Sequence, residues 1–260
     1  MEAPGAGQVY VFIGPSLPGF DAAAHGLVGC PPAKRGDVAA LLPRRPAAIA
    51  LVDGVFETAP SVWHKELLLA LEAGVPVFGA ASLGAIRAAE LHPFGMRGVG
   101  KVFDLYRSGA MTRDDAVMIR HGPAELSYVA TTVSLVDMQA TIDAARPALS
   151  PAEHRCLGAI AEALFFKDRT WDRLVALAAE RLGADAGPNL GERLARFRVS
   201  LKRQDVEELV GVLVGMLAAQ GKQPSPRDLE VPRTSYLRDL LESVAAERPE
   251  PGSDPHPGRG

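Results

Sequence analysis

The stretch VFGAASLGAIRAAEL, Val77 to Leu91, runs from an apolar segment through small residues into helical sequence, with Ser82 at the junction. Three roles suit a serine there: a nucleophile on a tight strand-to-helix turn, part of an anion site at a helix N-terminus, or a small side chain in close packing. Ala80 and Gly84 flank it at minus two and plus two, as in a loosened nucleophile elbow. Such a turn exposes the hydroxyl and aims backbone N–H groups at a developing oxyanion. The common elbow has Gly where Ala80 stands, and serine is also a preferred helix N-cap. A nucleophile needs a base, and His64, Lys65 and Glu66 are adjacent, about 100° apart around one helix. At most one or two of them can face a shared pocket. His64 is the natural base near neutral pH. Lys65 acts as a base if desolvated or binds an anion if charged, and Glu66 could orient either. A solvated first turn is the other reading of this triplet. Asp53 ends an apolar run before Gly54; it either holds a loop by accepting backbone N–H bonds or orients a catalytic base. Arg87 and Glu90 have the spacing of a helix-surface ion pair, while an arginine one turn inside a helix can instead hold a carboxylate or phosphate.

Other chemistries find little support. There is no GxxxxGK[ST] motif and no GxGxxG after a strand. The glycine-bearing GPSLPG, which contains Ser16, has two prolines that lack the N–H donors of a phosphate cradle. Six histidines are scattered without metal-ligand spacing, so neither a metal nor a cofactor is expected. Cys30 and Cys156 form neither a CxxC pair nor a disulfide framework, which suits a reducing, cytoplasmic compartment. The formal net charge of −3 offers no general attraction to nucleic acid or membrane. No apolar run approaches the roughly 20 residues of a membrane helix, and VYVFIG is too short for a secretory signal core.

The elements that must position these residues read as α/β. With 47% apolar residues in 260, the chain can bury a substantial core. QVYVFIG, AAIALVDG and VPVFGA have the apolar, β-branched content of buried parallel strands. SVWHKELLLALEAG reads as a helix capped by Ser61 and stopped at Gly74. Trp63, Leu67, Ala70 and Leu71 share one face of it, but Leu68 and Leu69 lie outside that face, so the helix should be covered on more than one side. SLGAIRAAEL is the next helix, stopped by Pro93. Alternating strands and helices imply a parallel, Rossmann-like sheet with right-handed crossovers, whose loops after the strands lie along one edge. That edge would gather Ser16, Asp53, His64, Lys65, Glu66, Ser82 and Arg87. From about Ala144 the sequence becomes a series of amphipathic helices, an appended all-helical C-terminal lobe for packing or partner contact. The expected division is an α/β core at 8–145, a helical lobe at 146–247 and a disordered Pro/Gly-rich tail at 248–260.

Read in order, FIGPSLPG, PPAKRGD, the long run from VDGVFETAP through GAASLGAIRAAEL, FGMRGVGKVFDLYRSG, DDAVMIRHGP and SLVDMQATID resemble the TfuA-like family over roughly Val9 to Asp143. The family pattern lands on Asp53, Gly54, His64, Lys65, Glu66, Gly79, Ser82, Gly84, Arg87 and Glu90. It continues through Phe94, Gly95, Met96, Gly98, Gly100, Tyr106, Asp114, Asp115 and His121. The sequence departs from it at Leu83, where Met is usual, at Ala116, where Glu is usual, and at Asp137 and Gln139, where Asn and Arg are usual. The resemblance implies a partner of YcaO enzymes in making peptide backbone thioamides. YcaO activates the amide oxygen with ATP, which fits the missing nucleotide motif. The TfuA-like partner would release sulfide from a sulfur-carrier protein ending in a Gly-Gly thiocarboxylate, an acyl transfer to water. On this reading Ser82, Lys65, His64, Asp53 and Glu66 are the catalytic candidates, and Ser16, Gly54, Gly79, Gly84, Arg87 and Glu90 the binding candidates. Partners would be a YcaO protein, the thiocarboxylated carrier and, through YcaO, the precursor peptide. The alternatives are a non-catalytic adaptor that recruits the sulfur donor and an allosteric activator of YcaO.

Overall fold

Strand β1 (Val9–Phe12) is followed by β2 (Val28–Cys30), helix α1 (Asp37–Leu41), β3 (Ala48–Leu51), α2 (His64–Glu72), β4 (Val77–Ala80), α3 (Leu83–Leu91), β5 (Arg97–Val99) and α4 (Lys101–Arg107). The remaining helices are α5 (Leu135–Ala144), α6 (Pro151–Ala163), α7 (Trp171–Leu182), α8 (Leu190–Ala195), α9 (Leu201–Ala218) and α10 (Ser235–Ala246). The computed structural model describes residues 7–57, 59–183, 186–219 and 229–246. The expected tail at 248–260 lies outside the described residues.

The five strands form one parallel sheet in the order β2-β1-β3-β4-β5, so the protein is α/β. In register, Tyr10 pairs with Val28 and Ile49, Ile49 with Val77, and Phe78 with Arg97. Alternation along each strand splits the apolar side chains into two layers. Tyr10, Phe12, Ile49, Leu51 and Val77 pack with α1, α2 and α3 through Val38, Leu41, Leu67, Ala70, Ile86 and Ala88. Val9, Val11, Ala48, Ala50, Val52, Phe78 and Ala80 face the opposite way. Each fully buried Val, Leu, Ile or Phe contributes about 1.5–3 kcal/mol, so the continuous apolar runs on both faces demand cover on both.

The second face is covered from an unexpected place. The β1–β2 connection supplies Ile13, Ala22 and Leu27, with Leu17 and Phe20 at the edge; α9 adds Val206, Leu209, Val210 and Leu213, which join the small side chains of Ala48, Ala50 and Ala80 in one buried cluster. Helices α5 to α8 extend the first core through Leu135, Met138, Leu157, Ile160, Leu174 and Leu194. Helix α10 sets Leu237 and Leu240 against Leu69, with Leu68 and Trp63 beside them. That contact is the second cover anticipated for α2.

One expected detail is corrected. The N-cap of α2 is Trp63 rather than Ser61. Glu66 accepts the Trp63 N–H at 3.1 Å, while the Ser61 hydroxyl turns back to donate to the Val55 carbonyl.

Because β2 and β3 lie on opposite sides of β1, right-handed connections run on opposite faces of the sheet. The crevice where they diverge, beyond the carboxyl ends of β1 and β3, is the topological switch point at which ligands bind in such sheets.

Candidate functional site

Asp53 sits just past β3 at this crevice, buried, and grips the loop after β1. One carboxylate oxygen accepts N–H bonds from Gly14 and Ser16, each at 2.9 Å, and the other accepts the Ser16 hydroxyl at 2.6 Å. Of the two roles open to Asp53, the geometry displays loop holding, with Ser16 as its ligand.

Ser82 lies at the end of the neighbouring strand, 3% exposed, as N-cap of α3. Its hydroxyl makes no capping bond, and no hydrogen bond joins it to His64, Lys65 or Asp53 among the described residues. The strained residue of the turn is Ala81, at φ 64°, where the Ser82 N–H reaches back to the Ala80 carbonyl at 2.7 Å. A nucleophile elbow puts the nucleophile itself on that strained position; here it is one residue early. Gly84 answers to packing, since a Cβ would stand 1.8 Å from the Leu51 carbonyl oxygen. At Gly79 a Cβ would meet the Gly84 oxygen at 2.1 Å, and at Gly54 the Leu83 side chain at 2.0 Å.

The His64–Lys65–Glu66 run diverges as helix geometry requires. His64 Nε2 is 2.7 Å from Glu90 Oε2, which also binds Arg87 at 2.7 Å. Burial pushes the Glu90 carboxyl up, but the hydrogen bonds from His64 and Arg87 and the Arg87 charge hold it below its ordinary value. Lys65 donates to the Thr234 hydroxyl ahead of α10 at 2.9 Å. Glu66, fully buried, accepts N–H bonds from Gly36 at 2.9 Å and Ala39 at 3.3 Å, fastening α1 to α2. Burial pushes its carboxyl up despite these bonds. The anticipated cluster therefore resolves into Asp53–Ser16, His64–Glu90–Arg87 and separate contacts for Lys65 and Glu66. None of these brings a base to Ser82.

The cavity at the switch point has about 420 Å³ and is walled by Pro31, Pro32, Gly54, Val55, Phe56, Glu57, Met118, Ile119, Arg120, His121, Tyr128 and Phe166. Its functional groups arrive on the segment between α4 and α5. The Arg120 N–H donates to the Thr132 hydroxyl at 2.7 Å, the Thr131 N–H to the Arg120 carbonyl at 2.8 Å, and the Gly122 N–H to the Val129 carbonyl at 2.9 Å. At the turn, Ser127 and Tyr128 take φ of 52° and 55°.

Below the cavity the segment is anchored by Arg169, which is wholly buried and donates to Asp115 Oδ2 at 2.9 Å and to the Asp115 carbonyl at 3.1 Å. Arg113 also pairs with Asp115, at 2.8 Å. The two guanidiniums hold the Asp115 carboxyl below its ordinary value against the opposing effect of burial.

The cavity's chemistry can be read from its hydrogen bonds. His121 Nδ1 lies 2.7 Å from the Gly122 carbonyl. A carbonyl only accepts, so Nδ1 carries the proton, and in the neutral ring Nε2 keeps a free lone pair. The ring meets Tyr128 edge-on, with centroids 5.6 Å apart. Burial, with the carboxylates of Glu125 and Asp53, raises the Tyr128 hydroxyl above the ordinary phenol value, so it stays an O–H donor at neutral pH. The Arg120 guanidinium makes no hydrogen bond or ion pair among the described residues. A guanidinium, an imidazole and a neutral donor thus line one cavity, whose wall also carries the Glu57 carboxylate, paired with Lys167 at 2.6 Å. His121 stood in the family pattern but not among the expected site residues; Arg120, its neighbour in IRHGP, and Tyr128 were missed. The adjacency in IRHGP was the available signal for Arg120, whereas nothing in the sequence around Tyr128 shows that the turn folds back on the cavity.

Residues 53–170 match the family model described as TfuA-like protein, the family that the ordered motifs resemble. No curated protein matches the chain. The matched segment starts at Asp53 and includes Arg120, His121, Tyr128, Asp115 and Arg169, so it contains both the polar cavity groups and their anchor. The match supports a role in the thioamidation system and association with YcaO partners. No helix among the described residues is long and apolar enough to cross a membrane.

Proposed function

We propose that this protein is the sulfur-delivery component of peptide thioamide formation. It takes the thiocarboxylated C-terminal tail of a sulfur-carrier protein into the switch-point cavity and hydrolyses it, and the sulfide passes to a YcaO enzyme. The observation that carries this reading is Arg120, unpaired among the described residues, beside His121 and Tyr128 in a cavity at the carboxyl edge of the sheet. A thiocarboxylate is anionic and a poor electrophile; pairing with a guanidinium withdraws its charge and makes the carbonyl carbon attackable. His121 Nε2 accepts a proton from water as the oxygen bonds to that carbon, and Tyr128 donates to the oxyanion. The proton returns to sulfur as the C–S bond breaks. The carboxylic acid and hydrosulfide so formed exchange a proton, and thiocarboxylate and water thereby become carboxylate and hydrogen sulfide, with atoms and charge balanced and no redox step.

The test is steady-state sulfide release from a thiocarboxylated Gly-Gly carrier, without YcaO. His121→Gln is expected to lower kcat by about 10²–10⁴. Arg120→Gln should raise KM by tenfold or more, and Tyr128→Phe should reduce kcat with little change in KM. Wild-type rates in all three variants would refute the cavity assignment. The adaptor reading is favoured by one specific observation, that no base is hydrogen-bonded to Ser82 among the described residues. It predicts carrier capture with no release by the wild type alone.

A further inference from the structure

Three large apolar side chains stand exposed beside the cavity: Leu126 at 61%, Val129 at 57% and Phe165 at 54%. They are tied to it by short paths. A Cβ at Gly122, next to His121, would lie 3.5 Å from Leu126, and the Gly122 N–H bonds the Val129 carbonyl at 2.9 Å. Phe165 packs edge-on against the cavity-lining Phe166, with centroids 4.7 Å apart. Scattered exposed apolar residues are ordinary, but three beside one cavity point to an interaction surface. A small thioacid filling the cavity would leave this rim in water; a folded protein that inserts a tail would cover it.

We infer that Leu126, Val129 and Phe165 form the docking rim for the folded body of the sulfur carrier, an apolar patch beside its anionic C-terminal tail. The unpaired Arg120 supplies the charge complementarity, reaching the tail while the rim holds the body. This assignment rests on the proposed sulfur-delivery function. It divides affinity between the rim and Arg120 and leaves turnover to His121 and Tyr128.

The two can be measured apart. Binding of a Gly-Gly sulfur carrier in its carboxylate form, followed by calorimetry, needs no chemistry. Leu126→Asp, Val129→Asp and Phe165→Asp should each raise Kd by tenfold or more, and raise KM for the thiocarboxylated carrier with kcat within twofold of wild type. Val212 and Val214, 40% and 38% exposed on α9, serve as controls. Val212→Asp and Val214→Asp should leave Kd within twofold. Rim variants that bind like wild type, controls that weaken binding equally, or a wild type that does not bind the carrier would each overturn the rim. If the wild type binds through the rim but releases no sulfide, the hydrolase reading fails and the rim stands. If release is normal and unaffected by the rim variants, the rim alone fails.

Discussion

Ser82 and His121 are the two groups that could start acyl chemistry, and their surroundings separate them. The Ser82 hydroxyl is almost closed off, without a hydrogen-bonded base among the described residues, one residue past the strained Ala81. His121 lines an open cavity with its proton fixed on Nδ1 by a carbonyl. Ser82→Ala is therefore expected to retain sulfide release within tenfold of wild type, while His121→Gln loses it. A dead Ser82→Ala variant of normal stability would move the chemistry to the α3 turn. At this scale, the sequence identified residue types well and their contacts poorly. Asp53 and Ser16 do meet, because strand-end loops share an edge. His64, Lys65 and Glu66 part because successive helical side chains diverge by about 100°, and what each reaches is decided by elements distant in the chain. Lys65 bonds Thr234 across 169 residues of sequence, which no local pattern announces.

At the scale of elements, close backbone approach and buried charge do most to position the site. Helix α3 lies against β3 so tightly at Gly84 that a Cβ would strike the Leu51 carbonyl. Gly84→Ala should therefore destabilise the protein by about 3 kcal/mol, as overpacking against backbone does. A change below 0.5 kcal/mol by chemical denaturation would contradict this contact. The cavity-bearing segment depends on Asp115. Asp115→Ala removes the carboxylate partner of a buried guanidinium, with an expected loss of about 3 kcal/mol and a raised KM as the Arg120–Tyr128 loop loosens. Undiminished denaturation midpoint and KM would show that the anchor is dispensable.

The three long strands and the helices α2, α3, α6, α7, α8 and α9 were legible from apolar period and stop signals. Strands β2 and β5 were not, since Val28–Gly29–Cys30 and Arg97–Gly98–Val99 are short and each contains glycine. They are strands because β1 and β4 offer open edges, a tertiary cause.

For the whole molecule, α9 matters most. Its apolar residues announced a helix but not a destination, and its destination is the second face of the sheet. There Asp205 accepts the N–H groups of Lys101 and Val102, each at 2.8 Å, at the start of α4. A Cβ at Gly100 would collide with this carboxylate, 2.2 Å from its carbon.

Burial outweighs the two bonds and raises the Asp205 carboxyl from 3.8 to about 6. A raised folded-state value means that the native protein holds a proton which the unfolded chain has already lost. The stability this group contributes is complete below about pH 4 and lost as pH rises through 6. Burial raises the Glu66 and Asp137 carboxyls in the same direction. Unfolding free energy should fall between pH 5 and pH 7, with about 1 kcal/mol of that fall due to Asp205. Asp205→Asn should flatten the profile by that amount; an unchanged slope would contradict a buried, proton-holding carboxyl.

The central claim is catalytic release of sulfur by this protein acting alone. The most direct measurement is the intact mass of a thiocarboxylated Gly-Gly carrier incubated with a small fraction of the wild-type protein, alongside His121→Gln and without YcaO. Many equivalents of carrier should be converted to carboxylate, matched by sulfide, with conversion at least a hundredfold slower in the variant. A carrier that keeps its sulfur throughout, or a His121→Gln protein as fast as wild type, would contradict it.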